Sequence, residues 1–249
     1  MSQTSDPSKW LPLVPSLDVV IEAIGGMEIR TISAQLLKVT GDEAAKTRPP
    51  GAPKLTYIWT SGTWLHGDDH KTIKTDTSPI TNPIPLIAWR PQQEQSVVTN
   101  TALNGIVIRP SLLYGRGGSL LGGLFKSALD GQVAWFGNPD DRWALIHTDD
   151  LAELFVLAAE KGQLVGGKIF DAANDFTESV DDVLKKLSEL TSADKPPQYL
   201  KPTNRKSIEF PTQFTANSLR AVGSVRGSSY YYHAVEAILS THAAGLEAS

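Results

Sequence analysis

The chain has 249 residues, 41% of them apolar and 20% charged, enough to bury a full core as one α/β domain or a domain with a small appendage. A net charge of -4 gives no reason to expect a nucleic-acid or anionic-membrane partner, and the absence of cysteine removes disulfides, thiolate nucleophiles and cysteine metal sites together. No apolar run reaches bilayer length and the N-terminus lacks a signal-peptide pattern, so a cytoplasmic protein is expected.

"LDVVIEAIG" (17–25) is a short apolar run rich in Val and Ile, the pattern of a strand covered on both faces. A helix is expected over Glu28 to Lys46, with Ile32, Leu36 and Leu37 at helical spacing, and "RPPGAP" (48–53) stops it. "KLTYIWTSG" (54–62) reads as a second buried strand, followed by a Pro-rich polar loop from His66 to Pro85. A helix from Arg90 to Thr101 tolerates Pro91 in its first turn. "GIVIRP" (105–110) is a third strand and "GGSLLGGLFKSALDG" (117–131) a Gly-rich helical turn region. "ALIHTDDLAELFVLAAEKG" (144–162) reads as an extended approach into a helix, with Asp150 as its N-cap and Glu153 at capping-box spacing. "GKIFDAAND" (167–175) is a fourth strand. Thr177 is then expected to cap a helix that turns Val180, Val183, Leu184, Leu187 and Leu190 inward, with Asp181–Lys185 and Asp182–Lys186 pairs outside. A loop-like stretch and a final helix over 230–244 complete the chain. Strands alternating with helices predict a largely parallel sheet with helices on both faces.

In such sheets ligands sit beyond the carboxyl ends of the strands. The four ends here are "EAIGG", "WTSGTWLHG", "IRPSLLYG" and "FDAAND", and three combine small residues with polar ones. Each taken singly also satisfies the ordinary needs of an α/β loop. His66, His70, Asp68 and Asp69 have a metal-like composition but lack the rigid spacing of a zinc motif, so no metal site is expected. A triad of His147, Asp149 and Ser61 would rest on residue type alone.

The segments "DVVIEAIG", "YIWTSGTWLHG", "IVIRPSLLYGRGG", "WALIHTDDLAELFVLAAEKG" and "GKIFDAAND" resemble, in order and spacing, the extended short-chain dehydrogenase/reductase superfamily, NAD-dependent epimerase/dehydratase group. The likeness covers residues 5 to 190, with an echo at "FTANSLRAVGSVRG" (214–227). It implies an incomplete Rossmann-like α/β fold, a mostly parallel sheet flanked by helices with a small irregular C-terminal lobe. Residues 1–194 would form the partial NAD(P)-binding domain, with substrate-lobe segments around 112–147, and 195–249 the C-terminal lobe. Family members carry an aspartate-led helix before this first strand. Asp6 would then start a helix packed down by Trp10 and Leu13, and Asp18 would begin the strand.

The resemblance also implies site residues. Ser61 or Thr60 supplies the hydroxyl that bonds the substrate oxygen, and Tyr114 is the tyrosine available nearby. Ala23, Gly25, Arg90, Arg109 and Pro110 lie where the cofactor, NAD or NADP, would pass. Two departures bear on activity. The family's Tyr and Lys four residues apart are missing: Trp89 and Gln93 have the separation, but indole has no acidic hydroxyl and a carboxamide no charge. Some atypical members have an Arg and a Glu here, as Arg90 and Glu94 do; the alternative is an i,i+4 surface pair. The G-x-x-G-x-x-G turn that holds the pyrophosphate is also absent, which sets binding of a dinucleotide by this chain against the resemblance.

The expected function is therefore an NAD(P)-binding-type oxidoreductase or epimerase-like protein, an N-terminally shortened family member whose chemistry, if active, is nicotinamide-dependent redox on a small carbonyl or alcohol substrate. The alternative is a non-catalytic dinucleotide sensor or interaction module. Partners are a small molecule, no nucleic acid and no membrane, with self-association possible through an exposed sheet edge.

Overall fold

A computed structural model describes residues 6–26, 28–67, 72–116, 119–191, 193 and 195–200. His70, Asp68, Asp69, the 214–227 echo, the final helix over 230–244 and nearly all of the C-terminal lobe lie outside the described residues. The chain divides into two compact units. The first takes residues 1–62, 88–109 and 152–171, and the second 63–87, 110–151 and 172–249. The breaks fall after Gly62 and Ile87, within the segments that read as third and fourth strands, and within the helix that follows His147.

In the first unit, β1 (Val19–Glu22), β2 (Leu55–Thr60) and β3 (Leu103–Pro110) are joined in parallel, and β7 (Ile169–Ala172) follows in the order β1-β2-β3-β7. The register sets Glu22 beside Trp59 and Trp59 beside Val107. Between the strands run α1 (Ile29–Thr47) and α2 (Arg90–Val98). Helix α1 buries Ser33, Leu36, Leu37, Thr40, Gly41 and Ala44, a stripe at three- and four-residue spacing that fits one face of a helix. Of these, Leu37 and Ala44 pack with Leu55, Tyr57, Trp59, Val97 and Val107 into one core. The opposite face of β2 meets the short helix α5 (Gly162–Val165), where Asn104 Nδ2 donates to the Gly162 carbonyl at 2.6 Å and Gln163 Nε2 to the Lys54 carbonyl at 2.9 Å. Strand β2 is therefore buried along nearly its whole length, which explains its continuous apolar sequence. Gly105 is required at its place in β3: a Cβ there would lie 1.9 Å from the Val97 carbonyl oxygen of α2.

Three expectations for this unit need correction. Strand β1 is not covered on both faces, since Ile21 is 46% exposed. The aspartate-led segment starts at Asp6 as expected, its carboxylate accepting the Ser8 N–H, and runs as two 3-10 turns, Pro7–Lys9 and Leu11–Ser16, whose packing residue differs. Trp10 packs on the core as expected, but Leu13 points outward and Val14 is the buried residue. Helix α2 ends at Val98, shorter than predicted.

In the second unit, β4 (Leu112–Tyr114), β6 (Arg142–His147) and β8 (Thr177–Ser179) form one sheet, with β5 (Ala134–Phe136) and β9 (Gln198–Leu200) paired separately. Helices α3 (Gly122–Leu129) and α6 (Val180–Thr191) close its core through Leu124, Phe125, Ala128, Val183, Leu184 and Leu187. Trp135 meets Trp143 edge-on at 5.1 Å. Helix α4 (Thr148–Glu160) starts two residues before Asp150, so Asp150 sits inside its first turn and is not its cap; the Thr148 hydroxyl instead donates to the Tyr114 carbonyl at 2.9 Å. Thr177 lies in β8 and does not cap α6, because Arg142 Nε takes its hydroxyl at 2.6 Å. Leu190 is exposed, and Asp181 accepts the Asp140 N–H at 3.1 Å.

Candidate functional site

A parallel sheet directs its strand carboxyl ends, and the loops after them, toward one rim. In the first unit that rim carries Glu22, Ala23, Thr60, Ser61 and Arg109. Helix α2 adds Trp89, Arg90, Gln93 and Glu94. The rim is built on buried charge. The Glu22 carboxylate is 4% exposed, accepts hydrogen bonds from the hydroxyls of Ser33 and Tyr57, and accepts Trp59 Nε1–H at 3.1 Å. Burial, and then the charge and hydrogen bond of Glu22, hold the Tyr57 phenol far above its ordinary pKa.

Arg109 is the second anchor. Its Nε and Nη2 grip both oxygens of Glu94 at 2.8 and 2.7 Å, and its Nη1 reaches Asp171 at 3.3 Å. Burial pulls its pKa down, but Glu94 and Asp171 outweigh that and raise it above the usual value. Glu94 is 1% exposed, so Arg90 and Glu94 do not form the expected surface pair.

Arg90 is held differently. Its guanidinium carbon stands 5.5 Å from the Trp59 ring and 5.2 Å from the Trp89 ring, two cation–π contacts. Nη1 donates to the Thr60 carbonyl at 3.2 Å. Burial lowers its pKa first, opposed by the charges of Glu94 and Glu22. Its Nε is buried without a hydrogen-bond partner, as are Ser61 Oγ and Gln93 Nε2. Ser61 is 8% and Gln93 9% exposed. Buried donors left unpaired are costly, and such groups at a strand-end rim mark where acceptor atoms would be stabilised.

The structure brings Thr60, Ser61 and Arg90 together, with the Thr60 hydroxyl donating to the Glu22 carbonyl at 2.7 Å. Ala23 and Gly25 are exposed past the end of β1, and a Cβ on Gly25 would meet nothing within 4 Å. Arg109 does not present a free guanidinium, because its donors are spent on two carboxylates. Pro110 and Tyr114 belong to the second unit. There the Tyr114 phenol accepts Asn174 Nδ2–H at 3.4 Å and meets His147 edge-on at 5.0 Å. Burial first raises its pKa; Asn174 works against that, while Asp150 and Glu178 add to it. His147 Nδ1 accepts the Asp149 N–H at 3.2 Å, while Asp149 Oδ1 is held by Arg116 at 2.6 Å, which is no triad geometry.

Glu22 is the residue that sequence reasoning missed. A carboxylate inside a strand predicted to be covered on both faces demands donors, and that signal was present in "VVIEAIG". A cavity of about 270 Å3 opens at the other rim of the sheet, near Arg48, Lys54, Thr56 and Gln163. Two of its polar lining residues are bonded internally, Arg48 to the Leu17 and Pro53 carbonyls and Gln163 to the Lys54 carbonyl.

Residues 52–173 match the NAD dependent epimerase/dehydratase family. No curated protein is a significant match. Among solved structures, the chain is similar to dTDP-glucose 4,6-dehydratase from Bacillus anthracis in complex with NAD, with TM-score 0.72, 12% identity and coverage of 98% of this chain and 79% of that one. It is also similar to UDP-glucose 4-epimerase from Thermotoga maritima, with TM-score 0.69, 18% identity and coverage of 98% and 83%. For UDP-glucuronic acid 4-epimerase from Bacillus cereus in complex with NAD the values are 0.67, 16%, 96% and 78%. At these identities the structural likeness shows the fold. Among the described residues no helix is long and apolar enough to cross a membrane.

Proposed function

We propose that this chain, which belongs to the NAD-dependent epimerase/dehydratase superfamily, binds NAD or NADP and a small carbonyl or alcohol group at the strand-end rim of its first unit, with little hydride-transfer turnover. The observation that carries this reading is the buried, unpartnered Ser61 hydroxyl at the end of β2, with Arg90 bonded to the preceding carbonyl. The NAD held by the similar dehydratase and epimerase structures supports the cofactor class.

A bound nicotinamide supplies or accepts a hydride. The chain's own residues then have limited tasks. Ser61 donates its hydroxyl hydrogen to the substrate oxygen, and Arg90 Nε and Gln93 Nε2 donate to acceptor atoms beside it. Glu22 fixes Trp59, on which Arg90 stacks. No tyrosine of this rim is free to give a proton: Tyr57 donates to Glu22, and its raised pKa keeps the proton on the phenol. A positioned general acid or base is worth about 10² to 10⁴ in rate, and that factor is missing.

Titration of the protein with NADH and NADPH tests the reading, followed by the fluorescence of its six Trp residues. Saturable binding is expected, weakened in Ser61→Ala when a carbonyl compound is present, with reduction of aldehydes near background. Absence of binding by either dinucleotide would refute it, and turnover at the ~10 s⁻¹ typical of enzymes would refute the acid–base argument. One observation favours an interaction role: β1 is the outer strand of its sheet among the described residues and leaves Ile21 half exposed. Pairing of two copies through that edge predicts a concentration-dependent sedimentation coefficient.

A further inference from the structure

We infer that the opposite rim of the first unit's sheet, at the amino ends of its strands, binds a small zwitterion: an α-amino acid with an aliphatic side chain. The site is the cavity of about 270 Å3 lined by the start of β2 and the end of α4. Thr56 on its wall stands five residues before Ser61, roughly 16 Å along the strand at about 3.3 Å per residue, so the two rims are separate places. The volume equals that of about nine waters at about 30 Å3 each, the scale of one amino acid and below the pockets of about 300–1,000 Å3 that take drug-sized ligands.

The connection "RPPGAPK" (48–54) turns at Gly51, whose φ is +83°, and both Arg48 and Lys54 line the cavity. Arg48 Nε donates to the Pro53 carbonyl at 3.1 Å and Nη1 to the Leu17 carbonyl at 2.8 Å. The guanidinium is thereby fixed, with Nη2 unbonded among the described residues. The Thr56 hydroxyl is buried and accepts from Gln163 Nε2 at 3.3 Å and Asn104 Nδ2 at 3.5 Å, so its own hydrogen is left to give. A guanidinium, an ammonium and a hydroxyl on one cavity suit a carboxylate. Asp18 and Glu160 line the same cavity, and among the described residues neither carboxylate is paired with these cations or with any other. Glu160 also closes α4, whose carbonyl end is itself partly negative. A plain anion would meet these two carboxylates uncompensated, and a plain cation would meet Arg48 and Lys54. A molecule carrying both charges a few bonds apart answers both. Val19, Pro53 and Ala159 add apolar wall for its side chain.

Ligand-observed NMR titration of the whole chain with L-leucine, N-acetyl-leucine, leucinamide and inorganic phosphate tests this. Leucine is expected to bind with a Kd of about 1 mM or tighter. N-acetyl-leucine and leucinamide each lack one charge and should bind at least about tenfold more weakly, and phosphate likewise. Lys54→Met and Glu160→Gln change exposed side chains, so both should melt as the parent does. Lys54→Met should weaken leucine about fivefold and leave leucinamide unchanged, while Glu160→Gln should weaken leucine by a similar factor and leave N-acetyl-leucine unchanged. No saturation by leucine at about 10 mM, tenfold above that Kd, overturns the inference. N-acetyl-leucine or phosphate binding as tightly as leucine overturns it as well, since the site would then read negative charge alone. Leucine binding that neither variant weakens also overturns it, because the ligand would then sit elsewhere. None of these outcomes bears on NADH, whose binding is tested separately.

Discussion

Glu94→Leu should be among the most damaging single substitutions in the first unit. Glu94 and Arg109 have side chains 1% and 4% exposed and share a two-pronged contact at 2.7 and 2.8 Å. Removing the carboxylate strands a guanidinium in the core, where its remaining partner is Asp171 at 3.3 Å. Breaking a buried pair from one side costs about 3–5 kcal/mol, against about 5–15 kcal/mol for the whole stability of a domain. With an m-value of about 2 kcal/mol/M, a loss of 3 kcal/mol lowers the urea midpoint by roughly 1.5 M. The double variant Glu94→Leu, Arg109→Met removes both charges and should recover at least half of that loss, since Asp171 is 12% exposed and retains access to water. Equilibrium urea unfolding read by Trp fluorescence gives all the values. A single variant within about 1 kcal/mol of the parent would refute the argument, as would a double variant equal to the sum of the two singles.

Tyr57→Phe deprives the buried Glu22 carboxylate of a donor and should cost about 1–3 kcal/mol at neutral pH. Because the folded-state phenol pKa lies above the unfolded value, its contribution is complete below about pH 10 and drains away as pH rises beyond that. The parent's urea midpoint should therefore fall more steeply above pH 10 than that of Tyr57→Phe, and parallel slopes would contradict the Glu22–Tyr57 bond. Gly105→Ala sets a Cβ against the Val97 carbonyl, forces α2 off β3 and should cost about 3 kcal/mol by thermal melting; an unchanged melt would show that α2 moves freely. The exposed Asp149 carboxyl should titrate below its ordinary value because Arg116 donates to it, with NMR showing recovery in high salt. A salt-independent titration would exclude that pair.

The elements were legible where burial is continuous or periodic. "KLTYIWTSG" could be read as a strand because β2 is covered on both faces, and α1 could be read from its three- and four-residue stripe. The errors arose where a tertiary partner overrode local chemistry. Asp150 and Thr177 each look like caps in sequence. Thr148 already holds the start of α4 through the Tyr114 carbonyl, and Arg142 claims the Thr177 hydroxyl across two strands. Leu13 and Val14 are equivalent to a composition argument, and only the 3-10 geometry of Leu11–Ser16 decides which one points inward.

The site was legible in position but not in its wiring. Strand ends and a small hydroxyl residue pointed to Ser61, while Trp89 and Gln93 were noted for their spacing and set aside as unable to replace a Tyr and a Lys. That Glu94 would serve Arg109 and leave Arg90 to two indoles required the sheet register, which brings Glu22, Trp59 and Val107 into one row. With the wiring known, the missing Tyr and Lys look different. Trp89 and Gln93 have the separation of the family's Tyr and Lys; Trp89 stacks on Arg90, and Gln93 Nε2 is a neutral donor without a partner. Each arginine of this rim has a carboxylate in contact or within its field, and the groups left unpaired, Ser61 Oγ, Gln93 Nε2 and Arg90 Nε, all donate hydrogen bonds. A charge-balanced set of donors with no free tyrosine or lysine beside it among the described residues is what the proposed reading asks for, and that reading expects a ligand to bind there without turnover.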